Sequence, residues 1–313
     1  MTDQRWFYRR GELAQGGWQS VVDASTPGWA HTGIRVAELG LEEHAAQSLA
    51  LDETGIERIV VPLAGSFTVT YVENGILTEV TLNGRASVFD GPTDVLYLSA
   101  AATATITGSG RFAVTTSPTD VVRPTRYIAA EETPVELRGA GASSRQVHNF
   151  GTTQALDAAR LIVCEVITPS QNWSSYPPHK HDENTPGHET RLEEIYYFES
   201  APTRADASKA PDPSASFGMF STYSSPAGEI EIDARVQTGD IALVPFGYHG
   251  PAVAAPGYDL YYLNVMAGPD AERAWLISDD PAHAWVRDSW NDQAIDPRLP
   301  YTTPTPTRSK GDI

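Results

Sequence analysis

Cysteine is nearly missing from this chain. Cys164 stands alone among 313 residues, so no internal disulfide can form. Its setting, Leu161-Ile162-Val163-Cys164-Glu165-Val166, reads as a strand with a small buried hydrophobe and not as a nucleophile. No run of about 18 apolar residues occurs, which removes a transmembrane helix. The N-terminus, through Trp6, lacks the basic-then-apolar layout of a signal peptide. A cytoplasmic protein is expected. Basic residues are also scarce, with 22 Lys and Arg against 40 Asp and Glu and a net charge of −18. Nucleic acid and acidic membranes need a basic face, so neither is an expected partner. A small anionic substrate remains possible, because one or two arginines suffice to hold a carboxylate.

What is abundant is punctuation. Twenty-five Gly and 23 Pro separate short β-branched and aromatic runs, the pattern of an all-β sandwich or barrel. Strands are expected at Ile34 to Leu39, Ile59 to Val72 with a bend at Gly65, Val95 to Leu98, Phe112 to Thr115, Arg160 to Thr168, Glu229 to Val236, Asp240 to Val244 and Leu260 to Met266. Only Glu42 to Leu49 and Leu156 to Arg160 suggest short helices. The length and a change of character over 117–145 divide the chain into an N-terminal half (1–135), a C-terminal half (136–295) and an extended Pro-rich tail (296–313). The hydrophobic fraction of 41% is ample for a core.

Histidine is distributed unevenly, with none between His44 and His148. The pair His179-Lys180-His181 puts two imidazoles on one face of an extended strand and turns Lys180 away. Downstream, Glu193-Glu194 opens the apolar strand Ile195-Tyr196-Tyr197-Phe198. Gly239-Asp240 then starts a strand that ends in the turn Pro245-Phe246-Gly247, followed by Tyr248-His249. The expected metal ligands are His179, His181, Glu194 and His249. Three nitrogens and one oxygen suit a borderline divalent cation, zinc ahead of manganese or iron, with positions left for substrate. Neighbouring residues alternate faces, so only one of the two glutamates can join the imidazoles. Glu194 is assigned as the ligand and Glu193 as a ligand-orienting group or base. His31, His44, His148, His188 and His283 are read as structural.

These runs, with Tyr258-Asp259-Leu260-Tyr261-Tyr262-Leu263-Asn264-Val265-Met266-Ala267-Gly268-Pro269, resemble the 5-deoxy-glucuronate isomerases of myo-inositol catabolism, a bicupin uronate isomerase family. The resemblance is strong over 173–275 and extends to the N-terminal half in outline. It implies two small jelly-roll β-barrels, with the N-terminal one lacking metal ligands, and a homo-oligomer. It also implies a metal-dependent aldose–ketose isomerisation of a small anionic sugar acid, 5-deoxy-D-glucuronate to 5-dehydro-2-deoxy-D-gluconate. For that chemistry Glu193 is the expected general base, and Tyr248 or Tyr262 the acid or oxygen-positioning group. Arg145, Arg191 or Arg235 would hold the substrate carboxylate, with Asn264 as a further substrate contact. The alternatives are a cupin dioxygenase with iron in the same ligand set and a non-enzymatic sugar-binding bicupin. The segment 182–193 is longer than such a site requires and is a candidate lid.

Overall fold

Segments this rich in β-branched residues, Gly and Pro seldom propagate a helix. The computed structural model describes residues 6–40, 47–204 and 212–302. Among these the one α-helix is a single turn, Val286–Ser289. The expected helix at Leu156 to Arg160 does not form. Its backbone N–H groups are instead drawn to a buried carboxylate: Glu57 accepts from Ala159, Arg160 and Leu161 at 2.6–2.7 Å. Of the other expected helix, residues 41–46, including His44, lie outside the described residues, and Ser48–Leu51 is a strand.

The strands are antiparallel and build three sheets. An eight-stranded sheet runs Ser20–Val22, Gly33–Leu39, Thr103–Pro118, Ile56–Glu73, Val95–Leu98, Arg126–Ile128, with Ser48–Leu51 and Ile76–Arg85 paired at its sides. Its longest strand, Ile56–Glu73, carries the expected bend. Gly65 there has φ +99°, and a Cβ would lie 2.0 Å from the Ser109 carbonyl oxygen, so only glycine fits.

A seven-stranded sheet runs Phe7–Tyr8, Ile241–Val244, Glu193–Pro202, Tyr258–Ala267, Ile162–Thr168, Arg145–Gly151, Val135–Arg138. Facing it is a six-stranded sheet: Gly228–Val236, Gly218–Ser225, Tyr248–Ala254, His179–Lys180 and Ser278–Asp279, with Trp173–Ser174 beside Tyr248–Ala254. Aromatic rings fill the space between them, Tyr196 and Phe198 meeting Phe220 at 4.6 and 5.3 Å.

The expected closed barrels are therefore corrected. No sheet closes on itself; each has two ends. In the seven-stranded sheet, Arg145–Gly151 and Val135–Arg138 extend the edge outward, so the first and last strands never pair. Strand Phe7–Tyr8 pairs with Ile241–Ala242, far away in sequence. One apolar cluster runs from Val22, Trp29 and Ile34 through to Val163, Ile195 and Leu263. The described part of the tail is docked: Leu299 and Tyr301 are buried, and Arg298 donates to the Ser170 carbonyl at 2.8 Å.

Candidate metal centre and its cavity

Strand pairing brings the candidate ligands together. His179 lies opposite His249 in register, their rings 4.5 Å apart, and the His181 ring is 4.7 Å from His249. Glu194 projects from the facing sheet, its Oε2 at 2.9 Å from His181 Nε2 and 3.1 Å from His249 Nε2. His181, Glu194 and His249 can offer ligand atoms lying within 4.8 Å of one another. All four side chains are buried.

The backbone decides which nitrogens face the centre. His179 Nδ1 lies 3.2 Å from the Pro177 carbonyl oxygen, His181 Nδ1 3.2 Å from that of Leu192, and His249 Nδ1 3.1 Å from that of Gly247. A carbonyl can only accept, so each Nδ1 carries the hydrogen and each neutral ring presents its Nε2 lone pair. The lone pairs of His181 and His249 then face the Glu194 carboxylate, an arrangement satisfied by a cation, while His179 lies beside His249 but outside the group whose ligand atoms all fall within 4.8 Å. His249 Nε2 has no aligned hydrogen-bond partner among the described residues, as expected of a ligand atom. Burial and the charge of His249 hold His179 well below the usual imidazole range. Burial opposes charge on His181 too, but the hydrogen bond and charge of Glu194 outweigh it and raise that ring. Glu194, despite burial, is held far below the carboxylate range by His181 and His249.

Lys180 points the other way, as strand alternation requires. Its ammonium binds Asp182 at 2.7 Å and Glu189 at 2.9 Å, tying down both ends of the 182–189 segment. Asp182 also accepts the Gly247 N–H at 2.8 Å, which fixes the turn before His249.

Beside the ligands lies a cavity of about 210 Å³, lined in part by His179, Glu194, Ser175, Tyr196, Tyr262, Asn264 and Trp275. Three arginines, Arg138, Arg145 and Arg287, line it as well. Arg138 is paired with Glu136 at 2.7 Å, and Arg287 with Asp279 at 2.6 Å. Arg145 has no carboxylate within ion-pair distance among the described residues. It donates to the Ser143 carbonyl at 3.0 Å and stacks on Trp290. Burial, reinforced by the like charges of Arg138 and Arg287, pushes its guanidinium down to about 10. Asn264 Nδ2 and Trp275 Nε1 are buried donors with no acceptor among the described residues. Burial raises the phenols of Tyr196 and Tyr262 above their ordinary value, so both stay protonated at neutral pH.

Other expected site residues lie elsewhere. Glu193, expected as the base, faces the opposite side of its strand, where its carboxylate accepts from the N–H groups of Ala30 (3.0 Å), His31 (2.7 Å) and Thr32 (3.3 Å). It pins a loop of the N-terminal half. Tyr248 stacks on Tyr223 at 5.3 Å, outside the cavity lining. Arg191 is exposed, and Arg235 lies over the Phe217 ring at 4.4 Å; neither lines the cavity. Arg138, Arg287, Ser175, Tyr196 and Trp275 were not anticipated. No local spacing marks the arginines, which reach the cavity only through tertiary folding.

Comparison with known proteins accords with this geometry. A 5-deoxy-glucuronate isomerase of Geobacillus thermodenitrificans is 44% identical over 166 residues, which are 53% of this chain and 55% of that protein. The chain thus spans about half the length of that relative. One from Bacillus licheniformis is 36% identical over 268 residues, 85% of this chain and 91% of that protein. The crystal structure of an IolB-like protein from Salmonella typhimurium superposes with a TM-score of 0.77 at 31% identity, covering 90% of this chain and 98% of that one. An oxalate decarboxylase from Lactobacillus farciminis, 10% identical with a TM-score of 0.58 over 88% of each chain, shares the fold alone. The sequence matches the KduI/IolB family over residues 6–286, and the chain belongs to that family.

Proposed function

We propose that this protein is a metal-dependent aldose–ketose isomerase that converts 5-deoxy-D-glucuronate to 5-dehydro-2-deoxy-D-gluconate. The observation that carries the reading is a surplus of buried donors. Asn264 and Trp275 face a small cavity with no acceptor of their own among the described residues, and Arg145, bound only to the Ser143 carbonyl, lines it without a carboxylate partner, next to the imidazoles and Glu194. Buried donors left unpaired are costly, so the cavity suits a compact ligand rich in oxygen and carrying negative charge. Its volume lies below the roughly 300–1,000 Å³ of drug-sized sites. A short-chain sugar acid fits both its size and its donor pattern.

His179, His181, Glu194 and His249 would hold the divalent cation, with zinc the first choice for this donor set and manganese or iron next. Such a cation polarises a carbonyl and favours loss of the neighbouring hydroxyl proton. Arg145 takes the substrate carboxylate, since the other two cavity arginines already have carboxylate partners. Asn264 and Tyr262 donate to oxygens along the chain. Trp275 and Ile277 wall off water.

The test is to incubate the purified protein, loaded in turn with zinc, manganese and iron, with 5-deoxy-glucuronate and to follow the aldehyde and ketone carbons by NMR. Conversion that is lost on chelation and restored by metal is expected. In Arg145→Met, KM should rise on the order of 10–100-fold, the cost of one charge-assisted contact. Absence of conversion with all three metals would overturn the assignment.

A further inference from the structure

An aldose–ketose isomerisation moves two hydrogens: one from C2 to C1, and one from the oxygen on C2 to the oxygen on C1. A carbon acid route needs a free base at the cavity, yet among the described residues the carboxylates around it are all engaged. Glu194 faces the imidazoles, Glu193 holds the 30–32 loop, Glu136 gives both oxygens to Arg138, and Asp279 gives both to Arg287. The cavity wall offers a chain of hydroxyls instead. Tyr196 OH lies 3.2 Å from Ser175 Oγ, and Ser175 Oγ lies 3.1 Å from Tyr262 OH. Ser175 takes a left-handed backbone, φ +46°, one of three non-glycine residues to do so among those described. Gly250 packs on its carbonyl so closely that a Cβ there would lie 1.8 Å from the Ser175 oxygen. A serine held in a glycine conformation, its hydroxyl between two phenols, is the sort of local strain that collects at working sites.

We propose, building on the isomerase reading, that the carbon-bound hydrogen moves as a hydride directly from C2 to C1, while the Tyr196–Ser175–Tyr262 chain carries the oxygen-bound proton. The C2–H bond breaks with its electron pair, which forms the new C1–H bond. C2 is oxidised from carbinol to ketone, and C1 is reduced from aldehyde to primary alcohol. The phenol meeting the C2 hydroxyl accepts its proton and passes its own to Ser175. Ser175 passes its hydrogen to the second phenol, and that phenol protonates the C1 oxygen. Each hydroxyl ends neutral, and no outside oxidant or reductant enters.

The test runs zinc-loaded protein with 5-deoxy-glucuronate in deuterated water. Turnover with less than about one deuterium in ten products at C1 is expected, and substrate labelled with deuterium at C2 should deliver the label to C1 in ordinary water. One solvent deuterium per product at C1 overturns the hydride route and leaves the isomerase reading standing. No turnover removes both. Ser175→Gly keeps the left-handed turn and deletes the hydroxyl. Its kcat should fall about 100-fold, the scale of a lost proton-transfer group, with KM changed less than about twofold. Zinc bound per chain, measured by elemental analysis, should not change. Tyr262→Phe should lower kcat by a similar factor and, because its hydroxyl also donates to the substrate, raise KM as well. Wild-type kcat in either variant overturns the relay.

Discussion

Glu193 and Glu194 are chemically identical neighbours with different surroundings. Glu194 points at the imidazoles of His181 and His249, whereas Glu193 points into backbone amides of residues 30–32. Alternation along the strand dictates that they part. Only one of them can therefore face the imidazoles, and the apolar run after Glu194 was the reason to choose it. The sequence could not show that the other was already committed, because Ala30, His31 and Thr32 arrive from more than 160 residues away. Glu193→Gln should keep its bound metal and lose less than about threefold in kcat. It should also lower thermal stability by about 1–3 kcal/mol, since an amide accepts the same N–H groups more weakly. Glu194→Gln should do the reverse, losing metal with a smaller change in melting temperature. Elemental analysis and a thermal melt on each variant separate the two roles. Arg145 was readable only as one of three arginines, and what distinguishes it is a lack of carboxylate partners among the described residues, which no local pattern encodes.

Among the elements, the strands were legible and their partners were not. Alternating or continuous apolar runs marked Gly33–Leu39, Ile162–Thr168, Gly228–Val236 and Tyr258–Ala267 to within a few residues. Whether a sheet closes depends on which edges meet across long stretches of chain, and that is a property of tertiary packing. Leu156 to Arg160 failed for a related reason, its amides being claimed by Glu57. The segment 182–193, a candidate lid from its length alone, is anchored at its base. Lys180 holds Asp182 and Glu189, and Asp182 reaches across to Gly247. Asp182 thereby couples the His179–His181 strand to the turn that aims His249. Groups that orient ligands in this way typically contribute 10–100-fold to metal affinity. Asp182→Asn should weaken zinc binding by about that factor in a competition titration with a chelating dye, while the unliganded fold survives by circular dichroism. Unchanged affinity would mean that the turn holds itself.

The two halves are joined through buried charge, so their stability follows pH. Arg85, from a strand of the eight-stranded sheet, makes a two-point ion pair with Glu165 of the seven-stranded sheet at 2.6 and 2.7 Å. Glu165 also meets His148 at 2.6 Å and Tyr261 OH at 2.7 Å, and Gln146 extends the network to the backbone of Tyr301 in the tail. Burial opposes the Glu165 charge, but Arg85 and His148 outweigh it and hold its carboxyl down to about 2. In the unfolded chain it titrates near the ordinary value of about 4.3. Between those values the unfolded state binds more protons, so this group's contribution is complete above about pH 4.3 and drains away as pH falls toward 2. The wild-type melting temperature should decline through that window. Glu165→Gln should be less stable at pH 7 by about 3–5 kcal/mol, because it strands a buried guanidinium, and its melting temperature should depend less on pH between 4.3 and 2. The double variant Arg85→Met, Glu165→Leu should recover much of the loss at pH 7, since removing both charges also removes the cost of burying either one. If the double variant is instead as unstable as the single one, the halves need the ion pair itself and not merely a filled, neutral contact.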